Sequence, residues 1–353
     1  MINTEVIQLD PENPDRGKIQ KAAVILRKGG LVAFPTETVY GLAANFTNKK
    51  SMDRLMEVKN RPAEKLFTIH IADKDKIEEF AMDIPIEGYK LIDKFWPGPL
   101  TLVFKSKKNN NQTVGMRMPS NRIALDLINI TAVPIVAPSA NISGDSPATT
   151  IEDVLSDFDG KIEMALDGGK TLLGISSTVV DVTQAALQIK REGAIKKEDI
   201  EKAIRTKNIV FVCTGNSCRS VMAMELLKKK MAKRQDVNIS AAGLSILPGM
   251  GASFETRKLL EQEGIDVSKH RARQFTAEIA KRADLILVMQ KVHEQRILRD
   301  YPFVKNRLYL LKEFAKIDDG DLEIYDPIGK SEEYYKLIFE VIKQAVDRVS
   351  QLV

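Results

Sequence analysis

Ile209-Val210-Phe211-Val212 is an unbroken apolar run that passes straight into Cys213-Thr214-Gly215-Asn216-Ser217-Cys218-Arg219-Ser220. Such a run reads as a parallel strand buried on both faces. The Cys-x5-Arg spacing that follows constrains the fold further. Five residues between Cys213 and Arg219 let the backbone curl until successive N–H groups point into one cup at a helix N-terminus, a site for three phosphoryl oxygens. The same donors favour Cys213 as a thiolate nucleophile. Arg219 supplies a planar bidentate fork to the equatorial oxygens, and the Ser220 hydroxyl is placed to stabilise the thiolate as leaving group. Around this loop, strands and helices alternate. A helix is expected from Arg219 through Leu227, an edge strand near 237–241, a helix over 254–263, a buried strand over 284–289 and a long amphipathic helix over Glu332–Leu352. That alternation implies a doubly wound parallel sheet, with the ligand at the carboxyl ends of the strands, where Val212-Cys213 hands over to Arg219.

Ester cleavage also needs a proton for the leaving group. Asp326-Pro327, after the acidic loop Asp318-Asp319-Gly320-Asp321, supplies the candidate general acid. With Ser240-Ala241-Ala242-Gly243, His270-Arg271-Ala272-Arg273 and the 283–289 run in the same order, residues 208–353 resemble the low-molecular-weight protein-tyrosine-phosphatase family. The resemblance implies Cys213 as nucleophile, Arg219 as transition-state clamp, Asp326 as acid and then base, and Thr214, Gly215, Asn216, Ser217, Cys218 and Ser220 as the phosphate loop. Cys218 is expected to protect Cys213 through a reversible disulfide. Val221 stands where the family usually has proline, and Ile328 where phosphotyrosine members carry an aromatic. Ser217 replaces the bulky aliphatic residue of phosphotyrosine members. Members that look like protein-arginine phosphatases have threonine there, so phosphoarginine and phosphotyrosine are both open as phosphorylated protein or amino-acid substrates. An arsenate reductase shares this fold, but the thioredoxin-coupled kind needs a third cysteine and the chain has two.

At 353 residues the chain is long enough for two domains. The expected division is 1–200 and 207–353, with Lys196–Lys202 as a short solvated connecting helix. No apolar run approaches the roughly 20 residues of a membrane span, and the start lacks signal-peptide character, so the chain reads as cytoplasmic with no membrane partner. Two cysteines and three histidines leave little for a structural metal site, and none is assigned. Charge is uneven: residues 1–204 hold 27 Lys and Arg against 28 Asp and Glu, and residues 205–353 hold 26 against 20. Polyanion chemistry in the first part therefore needs local clusters of cations.

Those clusters are present. Pro35-Thr36-Glu37-Thr38-Val39-Tyr40-Gly41-Leu42 follows a strand over 30–34. Lys59-Asn60-Arg61 follows a short helix over 52–58, with Lys65 and His70 close behind. Arg117 ends Val114-Gly115-Met116, and Pro138-Ser139-Ala140-Asn141 caps a strand over 134–137. Lys107-Lys108-Asn109-Asn110-Asn111-Gln112 reads as a hairpin tip or flap. With Phe95-Trp96-Pro97-Gly98, Asp167-Gly168-Gly169, Ser176-Ser177-Thr178-Val179-Val180-Asp181 and Arg191-Glu192-Gly193, residues 13–195 resemble the YrdC-type threonylcarbamoyl-AMP synthase domain, an α/β unit with a twisted mixed sheet. The resemblance implies L-threonine, bicarbonate and ATP as substrates, with Mg2+ accompanying ATP. The product would serve threonylcarbamoyladenosine synthesis on tRNA, making tRNA and tRNA-modification proteins indirect partners. It further implies Lys59, Arg61, Ser139 and Asn141 at the triphosphate, Lys65 and Arg191 near the nucleotide, and Thr38, His70, Arg117 and Ser177 at threonine, with Arg117 on its carboxylate. Leu66-Phe67 and Glu192 depart from the family's usual residues. The rival reading, a double-stranded-RNA-binding module without catalysis, sits poorly with a net charge near zero and this ordered set of Lys, Arg, Ser and Asn.

Overall fold

Two units of chain, Met1–Ala203 and Ile204–Val353, each carry their own sheet in the computed structural model, which describes residues 2–60, 67–109, 111–184 and 186–353. Arg61 and Lys65 lie outside the described residues.

In the first unit the strands are β1 (Glu5–Gln8), β2 (Val32–Phe34), β3 (Gly41–Asn45), β4 (Thr68–His70), β5 (Ala81–Met82), β6 (Leu100–Ser106), β7 (Thr113–Arg117), β8 (Ile135–Val136), β9 (Met164–Asp167), β10 (Thr178–Asp181) and β11 (Gln188–Arg191). Among the described residues they form one mixed sheet in the order β1-β9-β2-β3-β8-β4-β7-β6-β10-β11, with β5 paired to β6. The helices Arg16–Arg27 and Arg122–Thr131 cover the β1, β2, β9 end. Ile19, Ala22, Ala23 and Leu26 meet Ile123, Ala124 and Leu127 over Val32, Phe34, Met164 and Leu166. The 3–4 spacing of these positions gives each helix one apolar stripe. Two register relations prepare the site. β4 and β7 are parallel with His70 opposite Arg117. β6 and β10 are parallel with Thr101 opposite Val179, two residues after Ser177.

The second unit contains β12 (Lys207–Cys213), β13 (Val237–Gly243), β14 (Leu285–Val288) and β15 (Leu308–Leu310), all parallel, in the order β13-β12-β14-β15. Alternation along β12 explains its continuous apolar sequence. Ile209, Phe211 and Cys213 enter one core with the helices Arg219–Lys230 and Glu332–Leu352. Val210 and Val212 enter the opposite core with Phe275, Ile286 and Ile297. A strand buried on both faces has no polar side. The long C-terminal helix presents Tyr335, Ile338, Phe339, Ile342, Val346 and Val349 to the first core. The doubly wound expectation holds.

Element ends differ from the sequence reading for local reasons. The helix expected over 52–58 spans Lys49–Val58, because Asn48 caps it and accepts from the Ser51 N–H. The strand expected over 134–137 shortens to Ile135–Val136, where Pro134 has no N–H to give a ladder. The connecting helix spans Lys197–Arg205 and is less solvated than expected, since Ile200 is fully buried. The polar run 107–112 joins the antiparallel pair β6 and β7. Among the described residues no helix is long and apolar enough to cross a membrane.

Candidate active sites

The loop after β12 is shaped by two residues with special backbone properties. Gly243 lies opposite Cys213 in the β12–β13 register. A Cβ there would sit 2.7 Å from the Thr214 carbonyl oxygen and 2.9 Å from the Asn216 nitrogen, so glycine alone lets the loop fold against β13. Asn216 takes a left-handed conformation, φ 53°. Its side chain donates to Ser220 Oγ at 3.1 Å and accepts from the Arg273 N–H at 2.9 Å. His270 Nε2 lies 2.8 Å from the Asn216 carbonyl oxygen.

Within this frame Cys213 Sγ lies 3.0 Å from Ser220 Oγ. Cys218 Sγ is 3.6 Å from both Ser217 Oγ and the Tyr335 hydroxyl, and both cysteines are free and buried. Burial and the Cys218 contact raise the Tyr335 pKa above its ordinary value. Arg219 is 1% exposed. Its Nη1 donates to Gln290 Oε1 at 2.6 Å and to the Ile324 carbonyl at 3.0 Å, and its Nη2 donates to the Asp326 carboxylate. Nε is buried with no hydrogen-bond partner among the described residues. A buried guanidinium N–H without a partner is costly, and an anion in the loop would satisfy it. His293, buried beside Arg219, has its pKa lowered to about 4, chiefly by desolvation.

In the first unit, a cavity of about 540 Å³ is lined by His70, Arg117, Ser139, Ser177 and Arg191, together with Thr101, Asp181 and Lys190. Thr38 joins through Arg117, whose Nη2 donates to Thr38 Oγ1 at 2.8 Å and to Glu37 Oε1 at 2.7 Å, while Nε reaches the Gly98 carbonyl at 3.3 Å. Nη1 makes no hydrogen bond among the described residues. Burial, then the Arg117 charge, lowers the His70 pKa to about 3, so its ring is neutral. His70 Nδ1 lies 3.1 Å from the Thr68 carbonyl and must donate there, which leaves Nε2 as an acceptor. Arg191 donates twice to the Ser177 carbonyl, at 3.0 and 2.9 Å, and Ser177 Oγ meets Thr101 Oγ1 at 2.9 Å. Gly193 makes this packing possible, because a Cβ there would lie 2.1 Å from the Ser176 carbonyl oxygen. Lys59 and Asn141 do not line the cavity. Lys59, 1% exposed, donates to the carbonyls of Ser139, at 2.6 Å, and Asn141, and so pins the Ser139–Asn141 backbone.

Sequence reasoning missed Glu37, Gln290 and His293. Glu37 sat inside the 35–42 motif, hidden among hydroxyl residues. Gln290 and His293 follow β14 at its carboxyl end, the end where Cys213 leaves β12, so the carboxyl-end rule pointed to them.

Comparison with known proteins covers both units. The Sua5_yciO_yrdC family model, whose description reads telomere recombination, matches residues 24–193. The model for low molecular weight phosphotyrosine protein phosphatase matches residues 208–353. The chain is 46% identical over 233 residues to the threonylcarbamoyl-AMP synthase of Pyrococcus abyssi, covering 64% of this chain and 68% of that protein. It spans little more than half, 56%, of the Bacillus subtilis threonylcarbamoyl-AMP synthase, at 40% identity over 53% of its own length. The crystal structure of P. abyssi Sua5 complexed with L-threonine superposes with a TM-score of 0.55 and 32% identity, over 75% of this chain and 90% of that one. The chain therefore belongs to the Sua5/YciO/YrdC family through its N-terminal unit and carries a low molecular weight phosphotyrosine protein phosphatase domain in its C-terminal unit.

Proposed function

We propose that the chain is bifunctional, a threonylcarbamoyl-AMP synthase followed by a cysteine-dependent phosphatase. The observation that carries the first activity is the set of His70, Arg117, Ser139, Ser177 and Arg191 around one cavity. In this reading Arg117 offers its unused Nη1 to the threonine carboxylate while Glu37 and Thr38 hold the rest of the guanidinium still. Neutral His70 accepts through Nε2, and Ser177 lines the same cavity. The threonine amine and bicarbonate condense to a carbamate, whose oxygen attacks the α-phosphorus of ATP, and pyrophosphate leaves. Alignment and charge neutralisation drive this step rather than a protein nucleophile. Ser139, Arg61 and Lys65 hold the nucleotide with Arg191, and Lys59 and Asn141 serve the triphosphate from behind the cavity, Lys59 by fixing the Ser139–Asn141 backbone and Asn141 through its bonds to the Ile142 and Asp145 carbonyls. Among the described residues no group of three or more His, Cys, Asp or Glu could hold a metal ion. Mg2+ accompanying ATP would be held mainly by the phosphate oxygens, which needs no such cluster, and no step runs through it.

In the second unit, Cys213 attacks phosphorus, the leaving group takes a proton from Asp326, and Arg219 holds the equatorial oxygens. Water then attacks the cysteinyl phosphate, returning the proton to Asp326 and restoring the thiolate. The Arg219 Nε, buried without a hydrogen-bond partner among the described residues, carries this reading, because an anion in the loop would satisfy it. Ser217 favours phosphoarginine as substrate. Its small hydroxyl leaves room for a guanidinium and can accept one of its N–H groups, and Ile328 offers no aromatic wall.

One pair of assays on the whole chain tests both activities: pyrophosphate release dependent on threonine and bicarbonate, and phosphate release from phosphorylated amino acids. Arg61→Ala should abolish the first and leave the second within a few-fold. Unchanged pyrophosphate release in Arg61→Ala would overturn the triphosphate assignment.

A further inference from the structure

His293 is 3% exposed and belongs to neither the loop nor the acid-bearing segment, yet it touches the machinery on two sides. Its Nδ1 accepts the main-chain N–H of Gln290 at 3.2 Å. A nitrogen that accepts carries no proton in a neutral ring, so the proton sits on Nε2. Nε2 lies 2.9 Å from Thr214 Oγ1, and must donate to it. Thr214 directly follows Cys213. Gln290 is the residue whose side chain accepts from Arg219 Nη1 at 2.6 Å. The charged groups acting on the ring are Arg219 and Arg296, which oppose its protonation, and Asp326, which favours it.

Building on the phosphatase reading, we propose that His293 is a positioning residue. As the neutral Nε2–H tautomer it ties the nucleophile's loop, through Thr214, to the residue that orients the Arg219 guanidinium. With one lone pair of Thr214 Oγ1 occupied by the imidazole, the hydroxyl's own proton turns away from His293. Gln290, held by its N–H, keeps Arg219 Nη1 fixed, so Cys213 and Arg219 are set relative to each other before substrate arrives. Alignment of this kind acts on the reacting geometry more than on substrate affinity.

Two substitutions divide the ring's functions. Asparagine reproduces the Nδ1 acceptor, and glutamine reaches the Nε2 position. In the full chain, with p-nitrophenyl phosphate as probe, His293→Asn should lower kcat by about tenfold or more with KM changed less than about threefold. His293→Gln should restore most of the loss. Thr214→Val removes the same bond from its exposed end, and should reproduce the kcat loss even if His293→Asn does not fold. An unchanged kcat in Thr214→Val, or no rescue by glutamine, overturns the proposal. The tautomer is read independently of turnover by 15N NMR of the imidazoles in the full chain. An Nε2–H whose shift moves in Thr214→Val is expected, and a proton on Nδ1 overturns the proposal. Absent wild-type turnover with the Nε2–H tautomer in place would instead count against the phosphatase reading and the catalytic part of this one.

Discussion

The Arg219 guanidinium donates to the carboxylate of Asp326, 107 residues further along the chain. Arg219 is almost wholly buried, whereas the Asp326 side chain keeps 35% of its surface exposed. Arg219 thus ties together Gln290, Ile324 and Asp326, while its Nε has no hydrogen-bond partner among the described residues. In the proposed phosphatase reading, a phosphoryl group entering the loop would compete with Asp326 for this guanidinium. The carboxyl would then be free to face the leaving group.

That competition separates the roles of nucleophile and acid. Cys213→Ser should reduce phosphatase turnover by about 1,000-fold or more, because a serine hydroxyl is not ionised at neutral pH. Asp326→Ala should slow poor leaving groups by about 100-fold and good ones far less. Steady-state rates with a series of aryl phosphates of different leaving-group pKa check this, and a flat dependence in wild type and variant alike would remove Asp326 as acid. Cys218→Ser should keep substantial activity.

Close packing of the two glycines makes each activity separately breakable. Gly243→Ala places a methyl 2.7 Å from the Thr214 carbonyl oxygen and should cost about 100-fold in phosphatase kcat/KM, leaving pyrophosphate release unaffected. Gly193→Ala, 2.1 Å from the Ser176 carbonyl oxygen, should do the reverse. Both assays on both variants decide the point, and equal losses in both would contradict it.

Glu37 and Arg117 form a buried pair, with side chains 6% and 7% exposed. Glu37→Gln strips the charge while keeping the shape, and leaves Arg117 uncompensated. The first unit should lose about 3 kcal/mol of stability, measured by chemical denaturation with phosphatase turnover as the control for the second unit. The threonine KM should also change, because the guanidinium proposed to meet the threonine carboxylate loses its anchor.

Two histidines make stability depend on pH below neutrality. The folded pKa values of His70 and His293 are lowered to about 3 and about 4, in both cases mainly by burial. The folded state holds the neutral ring, so the unfolded chain takes up protons first, beginning near pH 6.5. Stability from each is full above that pH and falls as pH drops towards the folded value, by about 1.4 kcal/mol per pH unit per histidine. Denaturant midpoints between pH 7 and 5 should fall in both units. His70→Gln should flatten the slope in the first, and an unchanged slope would show that His70 does not contribute.

In the proposed reading, substrate choice in the second unit turns on Ser217. Wild type should favour phosphoarginine over phosphotyrosine in kcat/KM, and Ser217→Ile should shift that ratio towards phosphotyrosine by about tenfold, as the aliphatic side chain leaves guanidinium N–H groups unpaired. A tenfold wild-type preference for phosphotyrosine would reverse the assignment.

What the chain declares locally is the strand–loop–helix around Cys213, the apolar alternation of β12, the amphipathic helix Glu332–Leu352 and the clusters around residues 35–42, 59–70 and 139–141. Each depends on residues within a few positions of one another, where spacing translates directly into geometry. Whether Arg117 would meet Glu37, 80 residues away, Gln290 meet Arg219 across 71, or His293 meet Thr214 across 79 had no local signal. Those meetings were decided by strand order and register. β4 beside β7 puts His70 opposite Arg117, and β14 beside β12 brings the residues after Val288 to the end of the sheet where Cys213 emerges. Lys59 shows the same limit: its spacing from Arg61 carried no sign that its ammonium would donate to the Ser139 and Asn141 carbonyls. A side chain's charge is written in the sequence; its partner is set by which backbone segments share a sheet edge, because only packing of the whole core selects that arrangement.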